Sequence, residues 1–172
     1  MTKATGRFDV TLTPQPPEAT FAAVDLPRML IEKSFAGDLI GSSKGQMVAA
    51  MTPVEGSAGY VALERVTGTL DGRHGTFALQ HSSTMNRGVP QQSITVVPDS
   101  GTEELIGLAG SMVIHIVEGD HRYIFDYTLG TATTVGKIEI RFTHRCRRLA
   151  RRWQTLWKRT AKPVIDPFLT RY

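Results

Sequence analysis

Glu64 and His81 are the residues whose types and spacing first suggest chemistry. Between them lies Asp71-Gly72, a strong signal for a two-residue hairpin turn. Folding the chain about that dipeptide sets Leu70 opposite Arg73, Val66 opposite Phe77, Glu64 opposite Leu79 and Ala62 opposite His81. Side chains alternate along a strand, so Tyr60, Ala62, Glu64, Val66, Phe77, Leu79, His81 and Ser83 share one face. Glu64 and His81 are diagonal neighbours there, with Tyr60 and Ser83 beside them. A carboxylate and an imidazole within reach on a largely apolar surface suit general acid–base work, with partial burial tuning both toward the working pH. They equally suit hydrogen bonding to a ligand. The plainer reading is a structural pair that satisfies two polar groups over a core. The register carries the argument, because a slip of one residue would send the two to opposite faces.

Other constellations are weaker. A hairpin near Glu118-Gly119 puts Met112, Ile114 and Ile116 with Tyr123, Phe125 and Tyr127 on a core face. The reverse face holds Val113, His115, Arg122, Ile124 and Asp126, and it could be solvent, subunit interface or lumen. A His115–Asp126 pair with Arg122 nearby reads first as a solvated salt bridge. The five histidines (His74, His81, His115, His121 and His144) show no ligand spacing, so no metal is expected. Asp99-Ser100-Gly101 resembles the aspartic protease triplet, but that chemistry needs a second such aspartate, and turn chemistry explains it more simply. The glycines at 37, 41 and 45 and at 68, 72 and 75 lack the lysine and Ser/Thr of a phosphate loop. Within strands they point to tight bends, bulges or close backbone approach. No Gly-x-Ser-x-Gly elbow occurs, and no cofactor is expected.

The elements that must position these residues are strands. Turn signals at Pro14–Pro17, Lys44-Gly45, Glu55-Gly56-Ser57, Asp71-Gly72, Asn86-Arg87-Gly88, Pro98–Gly101 and Glu118-Gly119 separate runs rich in Val, Ile, Thr, Phe and Tyr. Strands are expected at about 6–13, 29–41, 45–52, 59–70, 73–85, 91–97, 106–117 and 121–129. No stretch before residue 141 shows helical periodicity. Eight meandering strands would leave two long edges exposed, and closure into an antiparallel barrel removes them. The chain has 172 residues, 41% apolar and 21% charged, enough for one core with a short appendage. Its single cysteine, Cys146, excludes an internal disulfide. Neither a signal peptide nor a membrane-spanning run is recognisable, so a cytoplasmic protein is expected.

Charge divides the chain sharply. Residues 1–140 carry 10 Lys and Arg against 15 Asp and Glu, whereas residues 141–172 carry 10 against one. The net +4 is therefore an acidic body, 5–130, followed by a basic extension, 131–172. Within the extension Leu149, Trp153 and Leu156 recur at helical spacing, and Pro163 ends the run. Arg145, Arg147, Arg148, Arg151, Arg152 and Lys158 could grip nucleic acid phosphates, an anionic membrane surface or an acidic partner. The bland alternative is an appendage whose apolar stripe packs on the barrel.

Several strings in order are similar to one bacterial family of unknown function. They are Lys33-Ser34-Phe35-Ala36-Gly37-Asp38-Leu39, Gly59-Tyr60-Val61-Ala62-Leu63-Glu64-Arg65, Gly75-Thr76-Phe77-Ala78-Leu79-Gln80-His81-Ser82, Val97-Pro98-Asp99-Ser100-Gly101-Thr102 and Tyr123-Ile124-Phe125-Asp126-Tyr127-Thr128-Leu129. That family resembles the allene oxide cyclase-like barrels, and the likeness covers about residues 6–129. It implies an eight-stranded antiparallel barrel, with residues 130–172 outside it. It assigns no reaction, and no catalytic residue carries over. The plant cyclases hold an oxidised fatty acid in a shaped apolar cavity. The expected function is thus a barrel that binds a small hydrophobic or amphipathic molecule through Tyr60, Glu64, His81 and Ser83, with room for cofactor-free cyclase or isomerase chemistry. The alternative is a non-enzymatic interaction module working through its basic extension. A homo-oligomer is compatible with both.

Overall fold

The computed structural model describes residues 1–17, 19 and 24–130. The chain divides into two units, Met1–Thr133 and Thr134–Tyr172. The second lies outside the described residues, and with it the helical stripe and the basic cluster expected from the sequence.

Eight strands follow one another: β1 (Thr2–Pro14), β2 (Arg28–Gly37), β3 (Leu39–Met51), β4 (Ala58–Leu70), β5 (Arg73–Asn86), β6 (Val89–Val96), β7 (Leu108–Val117) and β8 (Asp120–Leu129). Each pairs antiparallel with its neighbour, and β1 returns to β8, closing the barrel. The closing partner explains why β1 starts earlier than its own pattern suggests. Thr2 lies opposite Tyr127, so the first residues gain a ladder from the last strand of the barrel. A 3-10 turn, Glu103–Leu105, precedes β7.

The expected hairpin at Asp71-Gly72 is present, with φ of 47° and 81° at its two central residues. Both values fall in the left-handed region that this turn type demands. Leu70 faces Arg73, Glu64 faces Leu79 and Ala62 faces His81. The turn between β2 and β3 differs from expectation. Lys44-Gly45 is not a turn; β3 runs straight through it, and the reversal occurs at Gly37-Asp38. Gly37 has φ 115°, and the Asp38 carboxylate accepts hydrogen bonds from the Thr5 N–H (2.7 Å) and hydroxyl (3.2 Å), which pins the turn to β1. Asp99-Ser100-Gly101 is a turn, in which the Ser100 hydroxyl accepts from the Ala78 N–H and donates to the Val97 carbonyl.

Inside, the two halves of the barrel differ. One half is packed solid by Phe8, Phe35, Leu39, Leu70, Phe77, Leu105, Tyr123, Phe125 and Tyr127, with Phe77 stacked on Phe125. At this end the Tyr127 hydroxyl donates to the Asp71 carboxylate and ties β8 to the β4–β5 turn. In the other half a small cluster of Ile31, Met47 and Ala62 is joined by half-buried Val10, Met29 and Tyr60. Farther out, Leu12 and Ile116 continue the inward stripes of their strands yet are 48% and 66% exposed. This end is an open mouth.

The barrel wall is also uneven. β6 and β7 are in register at only Ile94–Met112 and Thr95–Ser111. Toward the mouth the Gln92 side chain takes over: its Nε2 donates to the Ile114 carbonyl (2.9 Å), and its Oε1 accepts from the Ile114 N–H (3.1 Å). Among the described residues no helix is long and apolar enough to cross a membrane.

A buried Lys33–Glu64–His81 cluster as candidate functional site

Four successive strands each send one polar side chain into the barrel where the solid half meets the open half. β2 supplies Lys33, β3 Ser43, β4 Glu64 and β5 His81; they are the buried polar or charged residues of the described chain. Alternation dictates this placement. Lys33 lies between Ile31 and Phe35 on the inward stripe of β2, and Glu64 between Ala62 and Val66 on that of β4. Lys33 faces Ser43 directly across the β2–β3 ladder.

Glu64 faces Gly45, and the glycine is what lets it reach across β3. A Cβ at position 45 would stand 2.6 Å from the Glu64 Cβ and closer still to the Leu63 carbonyl. With that space empty, the carboxylate leans toward β2. Its Oε1 accepts from Lys33 Nζ at 2.6 Å and its Oε2 from the Ser43 hydroxyl at 2.5 Å. Lys33 Nζ also sits 4.9 Å from the centre of the Phe8 ring, so the ammonium is bounded by a carboxylate and a π-face.

His81 completes the group differently. Its Nε2 lies 2.6 Å from the same Oε1. The oxygen is off the direction of the ring N–H, however, so the buried Nε2 makes no aligned hydrogen bond. The contact is a close electrostatic one, and it helps to hold the Glu64 carboxyl ionised.

Burial alone would raise the Glu64 pKa, but the His81 imidazole and the Lys33 ammonium outweigh it and hold the carboxyl at about 2, below its ordinary 4.5. This corrects the expectation that partial burial would poise Glu64 near neutral pH for acid–base work. Glu64 is therefore held as an anion rather than poised to exchange a proton near neutral pH.

The other expected residues sit nearer the mouth. Tyr60 and Ser83 are direct cross-strand partners, both half-buried. The Ser83 hydroxyl donates to the Gln91 carbonyl (3.2 Å), turned toward β6. His115 and Asp126 do not pair: Asp126 binds Lys3 at 2.9 Å, and His115 stands opposite Arg122 on the outer face. Lys33 and Ser43 were missed from the sequence, although a lysine between Ile31 and Phe35 in a period-two stripe was a readable signal. No group of three or more His, Cys, Asp or Glu side chains among the described residues could hold a metal ion.

A family model described as "Protein of unknown function (DUF3224)" matches residues 4–127. The chain is similar to a crystal structure of a DUF3224 protein of unknown function from Shewanella oneidensis MR-1, at 49% identity and a TM-score of 0.72. That likeness covers 77% of this chain and 99% of the other. No curated protein matches the chain.

Proposed function

We propose, from the premise that the chain belongs to the DUF3224 family of proteins of unknown function, that its barrel is a receptacle for a small amphipathic molecule. The observation that carries this reading is the buried Lys33–Glu64–His81 cluster, which lies beside a small apolar group of Ile31, Met47 and Ala62. Buried polar groups are costly unless their hydrogen-bonding capacity is met, and a guest that brings a further acceptor to His81 or Lys33 adds to what Glu64 already supplies. The guest's apolar body lies against Val10, Met29, Met47 and Tyr60, the side chains that line the open half. Its polar end is a hydrogen-bond acceptor, such as a carbonyl. The Glu64 carboxylate is already occupied by Lys33 and Ser43, so the donors are His81 and Lys33.

The same arrangement suits a cofactor-free cyclase- or isomerase-like rearrangement, a reaction that the family resemblance itself does not assign. Lys33 and His81 would stabilise negative charge developing on the guest oxygen, with Glu64 as a fixed counter-ion. Binding comes first and is tested directly with Prodan, a neutral naphthalene ketone whose emission reports burial and hydrogen bonding of its carbonyl. The full-length protein should bind one equivalent with blue-shifted emission. His81→Phe, which keeps a ring of similar shape, should weaken binding about tenfold, the loss of one hydrogen bond in a dry site. Absence of saturable binding, or equal affinity in a folded His81→Phe variant, overturns the reading.

A further inference from the structure

The outer wall carries a second polar cluster, on the side of the barrel where it closes. Arg7 on β1 is the direct partner of Arg122 on β8, and Arg122 is the direct partner of His115 on β7. Three nitrogen-bearing side chains thus stand in one row across three strands. Neighbouring strands are about 4.8 Å apart, which keeps the row within about 10 Å. Like charges directly opposite each other destabilise a sheet. Two surface lysines have acids, Lys3 binding Asp126 at 2.9 Å and Lys44 binding Glu32 at 2.8 Å. Arg7 and Arg122 have no such partner among the described residues.

The row lines a surface groove of about 780 Å³. Thr5, Ala36, Val117 and Ile124 form much of the rest of its walls, and Asp120 is its one carboxylate. Asp9, two residues beyond Arg7 on the same strand face, is the nearest further acid on β1. The lining thus carries two guanidinium groups against the Asp120 carboxylate, with the Asp38 carboxylate held beside it by Thr5 and an apolar flank of Ala36, Val117 and Ile124.

We infer that this groove binds a phosphate monoester. A guanidinium offers a planar fork of donors, and a carboxylate would engage one such fork. Two arginines at directly paired positions, with a histidine on the next strand, bring more than one fork of donors to an anion with three oxygens to offer. The organic part of the ester lies along Ala36, Val117 and Ile124. The site is independent of the barrel interior and of the reading given to it.

Isothermal titration of the full-length protein at constant ionic strength tests the inference with three probes: phenyl phosphate, inorganic phosphate and benzoate. Phenyl phosphate should bind saturably, inorganic phosphate more weakly, and benzoate at least tenfold more weakly than phenyl phosphate. Arg7→Gln and Arg122→Gln should each weaken phenyl phosphate at least tenfold, whereas Lys44→Gln and His81→Phe should leave it unchanged. Without phosphate, either arginine variant should melt at or above the parent temperature, because a repulsion has been removed. Saturable binding that survives both arginine substitutions, benzoate binding as well as phenyl phosphate, or no binding at all overturns it. Tight binding of inorganic phosphate with no gain from the phenyl group overturns the ester and leaves free phosphate as the occupant.

Discussion

Glu64 shows how a carboxylate can lie in a barrel core and remain ionised. Taking it out of water is costly, and the offset comes from Lys33, Ser43 and the adjacent imidazole. Its folded pKa is about 2 against an ordinary 4.5, a depression, so its contribution to stability is complete above pH 4.5. That contribution drains as the pH falls toward 2. The shift corresponds to about 3 kcal/mol, to be read from urea denaturation at steps between pH 5 and pH 2. Glu64→Gln should flatten the profile in that window. At neutral pH the same substitution should cost about 3–5 kcal/mol, because the Lys33 ammonium is left buried without its counter-ion. Replacing both, Lys33→Met with Glu64→Leu, should recover much of that loss. If the single and double variants are equally destabilised, the ion pair is not what the site depends on.

At the scale of elements, the weakest join in the wall is β6–β7, where a side-chain amide stands in for the backbone ladder. Gln92→Ala should leave the Ile114 N–H open to water. Hydrogen exchange at Ile114 should then accelerate at least tenfold, with Met112, inside the short register, little changed. Strand number and the β4–β5 register were legible because Asp71-Gly72 is a turn signal with a mechanism, and alternation then placed Glu64 and His81 on one face. The β2–β3 register was not legible. Lys44-Gly45 looks like a turn, but Gly45 is there for close approach to β4, a requirement that exists only once the sheet is assembled. A reversal at 44 instead of 38 moves Ser43 away from Lys33, so half of the polar cluster could not be built from the sequence. The direction of the Glu64 shift was lost for the same reason, since Lys33 supplies part of it.

At the scale of the molecule, the barrel is a meander whose first and last strands meet, and that fixes an order of events. Seven of its eight joins link strands that follow one another along the chain; the eighth brings Thr2 to Tyr127. Closing a loop costs about 0.6 kcal/mol more for every doubling of its length, so the last join costs roughly 3 kcal/mol more than a tight hairpin. Local hairpins such as β4–β5 should therefore form before the rate-limiting barrier, and the β1–β8 ladder after it. In stopped-flow chevrons Val66→Ala should slow refolding, while Phe8→Leu should mainly speed unfolding. A reversed pattern would mean that the ends meet first. In the expected order the polypeptide crosses its barrier as an open curved sheet, with the unpaired edges of β1 and β8 bare to any other chain nearby. Refolding yield should then fall with protein concentration even though the β1 and β8 edges are paired in the finished barrel.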